Sequence, residues 1–86
     1  MRSSKVNDNI YNITGKNIKK IRKMLGITQE DLCARMQVLE YQISRSDISK
    51  LENGKKFITD FEVYGFANAL KVSILDLFSE YPRNWF

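Results

Sequence analysis

Apolar residues recur at three- and four-residue spacings in five short runs of this chain, each closed by a turn signal. Between 14 and 25, Ile18, Ile21 and Leu25 lay one stripe along a helix, and Gly26 offers a left-handed stop. Thr28, with the acidic Asp31 three positions on, is a capping arrangement that opens a second helix. Leu32, Met36 and Leu39 continue its face, and the periodic part ends at 37–39. Ser44 or Ser46 caps a third helix, in which Ile48 and Leu51 face inward while Arg45, Ser46, Asp47, Ser49 and Lys50 face out. Asn53 and Gly54 stop it. Thr59 with Glu62 opens a fourth helix carrying Val63, Phe66, Ala67 and Leu70 as far as Lys71. Ser73 with Asp76 opens a short fifth, with Ile74, Leu75, Leu77 and Phe78, that ends before Pro82. Residues 1–12 are polar, with scattered Asn and Ser and no period, and read as an N-terminal arm.

Five short helices with tight connections and no internal repeat predict one all-α bundle over residues 13–79, followed by an aromatic tail at 80–86. At 86 residues the chain has room for a single small core, and 43% hydrophobic content suffices to fill one. Composition then removes chemistry. With no His and a single Cys, the sequence has no Ser-His-Asp triad, His metal site, thiolate cluster or intrachain disulfide, so neither enzyme nor metal centre is expected, and no cofactor. No run approaches the ~20 apolar residues that cross a bilayer, and no apolar stretch follows the first basic residues, so a cytoplasmic protein away from membranes is expected.

The net charge of +4 is unevenly spread. Residues 1–26 carry seven basic and one acidic side chain, residues 27–56 five of each, and residues 57–86 two basic and four acidic. A molecule polarised in this way presents its basic end to a polyanion.

Three blocks then stand in order: residues 18–32 with Gly26, Thr28, Gln29, Glu30 and Leu32; residues 44–55 with Ile48, Lys50, Leu51, Glu52, Asn53, Gly54 and Lys55; and residues 66–78 with Phe66, Ala67, Leu70, Ser73 and Phe78. Together they resemble the Cro and phage-repressor helix-turn-helix family, also called the XRE family, over residues 13–78. The resemblance implies a five-helix lambda-repressor-like bundle, a bacterial or phage-type transcriptional regulator, and double-stranded DNA as partner, bound by a homodimer. In such folds the second helix crosses the DNA backbone and the third enters the major groove. By that resemblance Ser44, Arg45, Ser46, Asp47 and Lys50 read base edges. Arg45 leads for specificity because a guanidinium pairs bidentately with guanine O6 and N7. Gln29, Asn53, Lys55 and Lys56 are implied as phosphate contacts that fix register. Arg22 and Glu52 match an ion pair joining the first helix to the third.

The chain departs from the family pattern in carrying about five extra residues around 39–43, which lengthens the connection between the second and third helices. Either the second helix is prolonged by a turn, with Tyr41 and Ile43 packing on the domain edge, or a loop bulges near the phosphates. The apolar anchors Tyr41 and Ile43 favour a longer second helix followed by an ordered loop. Cys33 is expected to pack as a small hydrophobe. Phe57, Ile58, Tyr81, Trp85 and Phe86 are more apolar than a loop and a terminus require. They are candidates for a self-interface, or for a tail folded back on its own core. The alternative function is an antitoxin-like or adaptor module whose aromatic tail holds a protein partner, with DNA contact secondary.

Overall fold

The computed structural model describes residues 10–79. It places there five helices and no strands: α1 (Gly15–Met24), α2 (Gln29–Val38), α3 (Arg45–Glu52), α4 (Asp60–Leu70) and α5 (Ile74–Leu77). Tyr81, Trp85 and Phe86, expected from the sequence to form a self-interface or a folded-back tail, lie outside the described residues.

The helix starts follow from short-range chemistry. At α2, α3, α4 and α5 the hydroxyls of Thr28, Ser44, Thr59 and Ser73 accept from the backbone N–H three residues on, and that residue's carboxylate accepts from the cap's own N–H. Each cap is worth about 1 kcal/mol. The ends are equally uniform. Gly26, Glu40, Gly54 and Lys71 adopt φ of 72, 70, 73 and 60°. The next N–H in each case reaches the carbonyl five residues back: Ile27 to Arg22 (3.2 Å), Tyr41 to Met36 (2.9 Å), Lys55 to Lys50 (2.8 Å) and Val72 to Ala67 (3.0 Å).

That turn at Glu40 corrects the expected prolongation of the second helix. The extra turn does not form: α2 ends at Val38, and residues 39–44 make a long, ordered connection. Continuing the helix would carry Ile43 away from the core, where it is 5% exposed, so Glu40 takes a left-handed conformation unusual for a side chain with a Cβ. The connection is pinned at two further points. The Tyr41 ring covers Gly65, where a Cβ would sit 2.6 Å from it, and the Cys33 thiol donates to the Ile43 carbonyl at 3.1 Å.

Ile18, Leu32, Met36, Ile48, Leu51, Phe66, Leu70 and Leu77 form the centre of one core. Burying each such side chain contributes roughly 1.5–3 kcal/mol. α1 packs on α3, α4 and α5; α2 packs on α3 and α4; α4 packs on α5. α3 therefore rests on α1 and α2, while α5 lies on the other side of α1. The approach of α1 to α3 is close enough that a Cβ on Gly15 would lie 1.8 Å from the Leu51 carbonyl oxygen. On the far side the Asn17 side chain donates to the Leu77 carbonyl at 2.8 Å, tying α1 to α5.

Tyr11 and Asn12, read from sequence as the end of the arm, hydrogen-bond to the bundle. The Tyr11 N–H donates to the Gly54 carbonyl at 2.7 Å. Asn12 accepts from the Gly15 N–H at 2.7 Å and donates to the carbonyls of Leu51 (3.1 Å) and Lys56 (2.9 Å). One amide thus caps the start of α1 and joins it to the end of α3. Thr14, adjacent to α1, makes no cap, and its hydroxyl is buried without a partner.

Candidate nucleic-acid interface

The outward face of α3 follows from its inward one. Ile48 and Leu51 fill the core, so Arg45, Ser46 and Lys50 are exposed and Asp47 is half-buried beside them. Ser44 is exposed as the cap, and the Asp47 carboxylate accepts from its N–H at 3.4 Å. Those bonds from the Ser44 backbone and hydroxyl hold the Asp47 carboxyl below its ordinary value, and the charges of Lys56 and Lys50 act in the same direction. Lys50 and Lys56 thus both lie within electrostatic reach of Asp47. Asp47 serves first as the capping-box partner of Ser44 at the start of α3, whatever else its second oxygen meets.

Behind this face lies a chain of polar contacts. The Arg22 guanidinium grips Glu52 with two bonds, Nε to Oε2 at 2.7 Å and Nη2 to Oε1 at 3.1 Å, and Nη1 donates to the Ile27 carbonyl at 2.8 Å. Arg22 is 7% and Glu52 4% exposed, so the pair is desolvated and its geometry is held on every side. Gln29, the first residue of α2, donates through Nε2 to Glu52 Oε1 at 3.0 Å and accepts through Oε1 from Arg45 Nη1 at 3.2 Å. The amide orientation is dictated by its partners, because the carboxylate only accepts and the guanidinium only donates. The first residues of α2 and α3 are therefore linked through side chains back to α1.

Sequence reasoning placed Gln29 at a phosphate. In the structure its amide bridges Glu52 and Arg45, and Gln29 itself opens the first turn of α2, whose leading backbone N–H groups have no partner within the helix. Asn53 turns its side chain back to the Ser49 carbonyl at 3.0 Å, completing the end of α3. Lys55 is exposed and Lys56 half-buried directly after it, and both line a recess of about 380 Å³ with Tyr11 and Phe57. The Phe57 ring stands 5.0 Å from that of Tyr11 at 59°, whereas Ile58 packs against the core.

Three contributors to the geometry were missed from sequence. Asn12 joins α1 to α3, Gly15 sets how closely they approach, and Arg35 donates to the Ala69 carbonyl at 2.9 Å, fastening α2 to the end of α4. Each acts across more than thirty residues, and no local pattern marks such a partner. Among the described residues no group of His, Cys, Asp and Glu is arranged to hold a metal ion, and no helix is long and apolar enough to cross a membrane.

A family model described as a helix-turn-helix domain matches residues 15–82. No curated protein and no solved structure matches the chain.

Proposed function

The chain belongs to the helix-turn-helix domain family, and from that membership we propose that it is a sequence-specific regulator of transcription, acting as a repressor by occupying an operator in double-stranded DNA. In this reading α3 enters the major groove. Arg45, Ser46 and Lys50 meet base edges, Ser44 and Asp47 shape the leading end of the helix, and Lys55, Lys56, Asn53 and the first turn of α2 with Gln29 meet phosphates. The single observation that carries it is the exposed row of Arg45, Ser46 and Lys50 on a helix whose position is fixed by the buried Arg22–Glu52–Gln29 network. A base-reading helix has to be held rigidly, since its discrimination depends on placing donors within hydrogen-bond reach of one base edge.

We further propose an XRE-type protein binding as a two-fold dimer, in the cytoplasm of a bacterial or phage-infected cell. Selection of bound sequences from a random duplex library tests the reading. An inverted repeat with half-sites about 10 bp apart is expected. Recovery of no common sequence, with weak and steeply salt-dependent binding, would refute it.

Large apolar side chains left exposed on the described surface support a second reading, a protein-interaction module with DNA contact secondary; Val38 is 81% and Phe61 76% exposed. Under it, variants at these positions lose a protein partner while Arg45 variants change nothing.

A further inference from the structure

We propose that residues 81–86 dock in cis onto a groove between α1 and α5. The groove, about 460 Å³, is lined by Ile21, Met24, Leu25 and Val72, with Asn17 at one end and Ser79 at its lip. α1 carries more apolar surface than the described chain covers. Ile18, in the first turn of the helix, belongs to the core, while Met24 and Leu25, at its C-terminal end, are 76% and 48% exposed.

The next residues of the chain supply the matching chemistry. Ser79 lines the groove, and its hydroxyl donates to the Asp76 carbonyl at 3.1 Å, so the backbone leaves α5 at the groove's own edge. Of the seven residues that follow, Tyr81, Trp85 and Phe86 are aromatic. Six residues from Ser79 to Trp85 reach at most about 20 Å, and the helix from Asn17 to Leu25 spans about 12 Å, so the rings of Trp85 and Phe86 can reach the whole groove, while Tyr81, two residues from Ser79, reaches its near part. Attachment at the lip gives the segment an effective concentration in the millimolar range, which a second copy of the chain must exceed to displace it. α5 packs on α1 and α4, whereas α3, the helix proposed to meet DNA, rests on α1 and α2.

Trp85 is the only tryptophan, so its fluorescence reports on this segment alone. In the full chain the emission is expected to lie to the blue of its position in urea, with severalfold weaker quenching by acrylamide, and to be independent of protein concentration. Met24→Asp, at an exposed position, is expected to return both readings to those of free indole while far-UV circular dichroism stays unchanged. As an independent measurement, the Met24 methyl resonance is expected to show a ring-current shift that disappears in Trp85→Ser. Exposed emission in the folded chain, a blue shift that survives Met24→Asp with an unshifted Met24 methyl, or a shift that grows with concentration as dimers form would each overturn docking in cis. The last of these outcomes would assign the groove to a second copy. None of these readings involves DNA, so the outcome is separate from that of the DNA-binding proposal.

Discussion

Replacing Arg22 by Met tests whether the ion pair beneath α3 organises the interface. In the native protein the Glu52 carboxylate accepts three bonds, at 2.7 and 3.1 Å from Arg22 and 3.0 Å from Gln29, and is 4% exposed. The substitution removes two of the three and leaves a buried charge opposite a thioether. Stripping one partner from a buried pair costs about 3–5 kcal/mol. A domain of this size has roughly 4–13 kcal/mol in total, so the variant is expected to be marginally folded. With a urea m-value of about 1.5 kcal/mol/M, the midpoint falls by about 2–3 M. The double variant Arg22→Met with Glu52→Leu removes the charge along with its partner, and is expected to recover most of the loss, because well-packed apolar pairs match buried ionic ones in stability. Urea unfolding of the two single variants and the double variant closes the cycle. A loss below about 1 kcal/mol in Arg22→Met, or a double variant no better than the worse single, would refute the reasoning.

Three other outcomes follow from the same structure. Gly15→Ala places a Cβ 1.8 Å from the Leu51 carbonyl oxygen, which is backbone and cannot swing aside. The helices must separate, and thermal unfolding is expected to drop by about 10 °C or more, against a gain of only about 1 kcal/mol in helix propensity. Thr14→Val removes a buried hydroxyl without a partner while keeping the shape of the side chain, and is expected to raise the midpoint by several degrees, about 1 kcal/mol. Asp31 and Asp47 both titrate below their ordinary value in the folded chain because the Thr28 and Ser44 caps bond to the charged form. Their contribution is complete above the unfolded value of about 3.9 and is lost as pH falls through the folded one. Stability should therefore fall below about pH 4, and Asp47→Asn should flatten that fall; a steeper fall in the variant would contradict the assignment.

How far the fold was legible depends on how local its causes are. The capping pairs Thr28 with Asp31, Thr59 with Glu62 and Ser73 with Asp76 are each written within four residues, and each opens its helix as expected from the spacing. The third helix offered two serines, and Ser44 takes the cap because Asp47 stands three residues beyond it. The end of α2 was not legible in the same way. Glu40 is a poor candidate for a left-handed turn on propensity alone. What turns the chain there is the burial of Ile43 and the seat of Tyr41 on Gly65, a residue twenty-four positions away. The same holds at the interface. The outward face of α3 can be read from the inward spacing of Ile48 and Leu51, but the bridge through Gln29 cannot. Its partners Glu52 and Arg45 come from a different helix and are brought to it only by the packing of α2 on α3.

The most direct measurement is the affinity of wild type and Arg45→Ala for the selected operator and for a scrambled duplex, each followed by fluorescence anisotropy across a salt series. If Arg45 reads a base from α3, the variant should lose about fivefold to about 150-fold in the ratio of operator to scrambled affinity, the equivalent of roughly 1–3 kcal/mol, while scrambled-duplex affinity hardly changes. An unchanged ratio, or equal losses on both duplexes with a shallower salt dependence, would make Arg45 a phosphate contact and contradict the account of α3 as the reading helix.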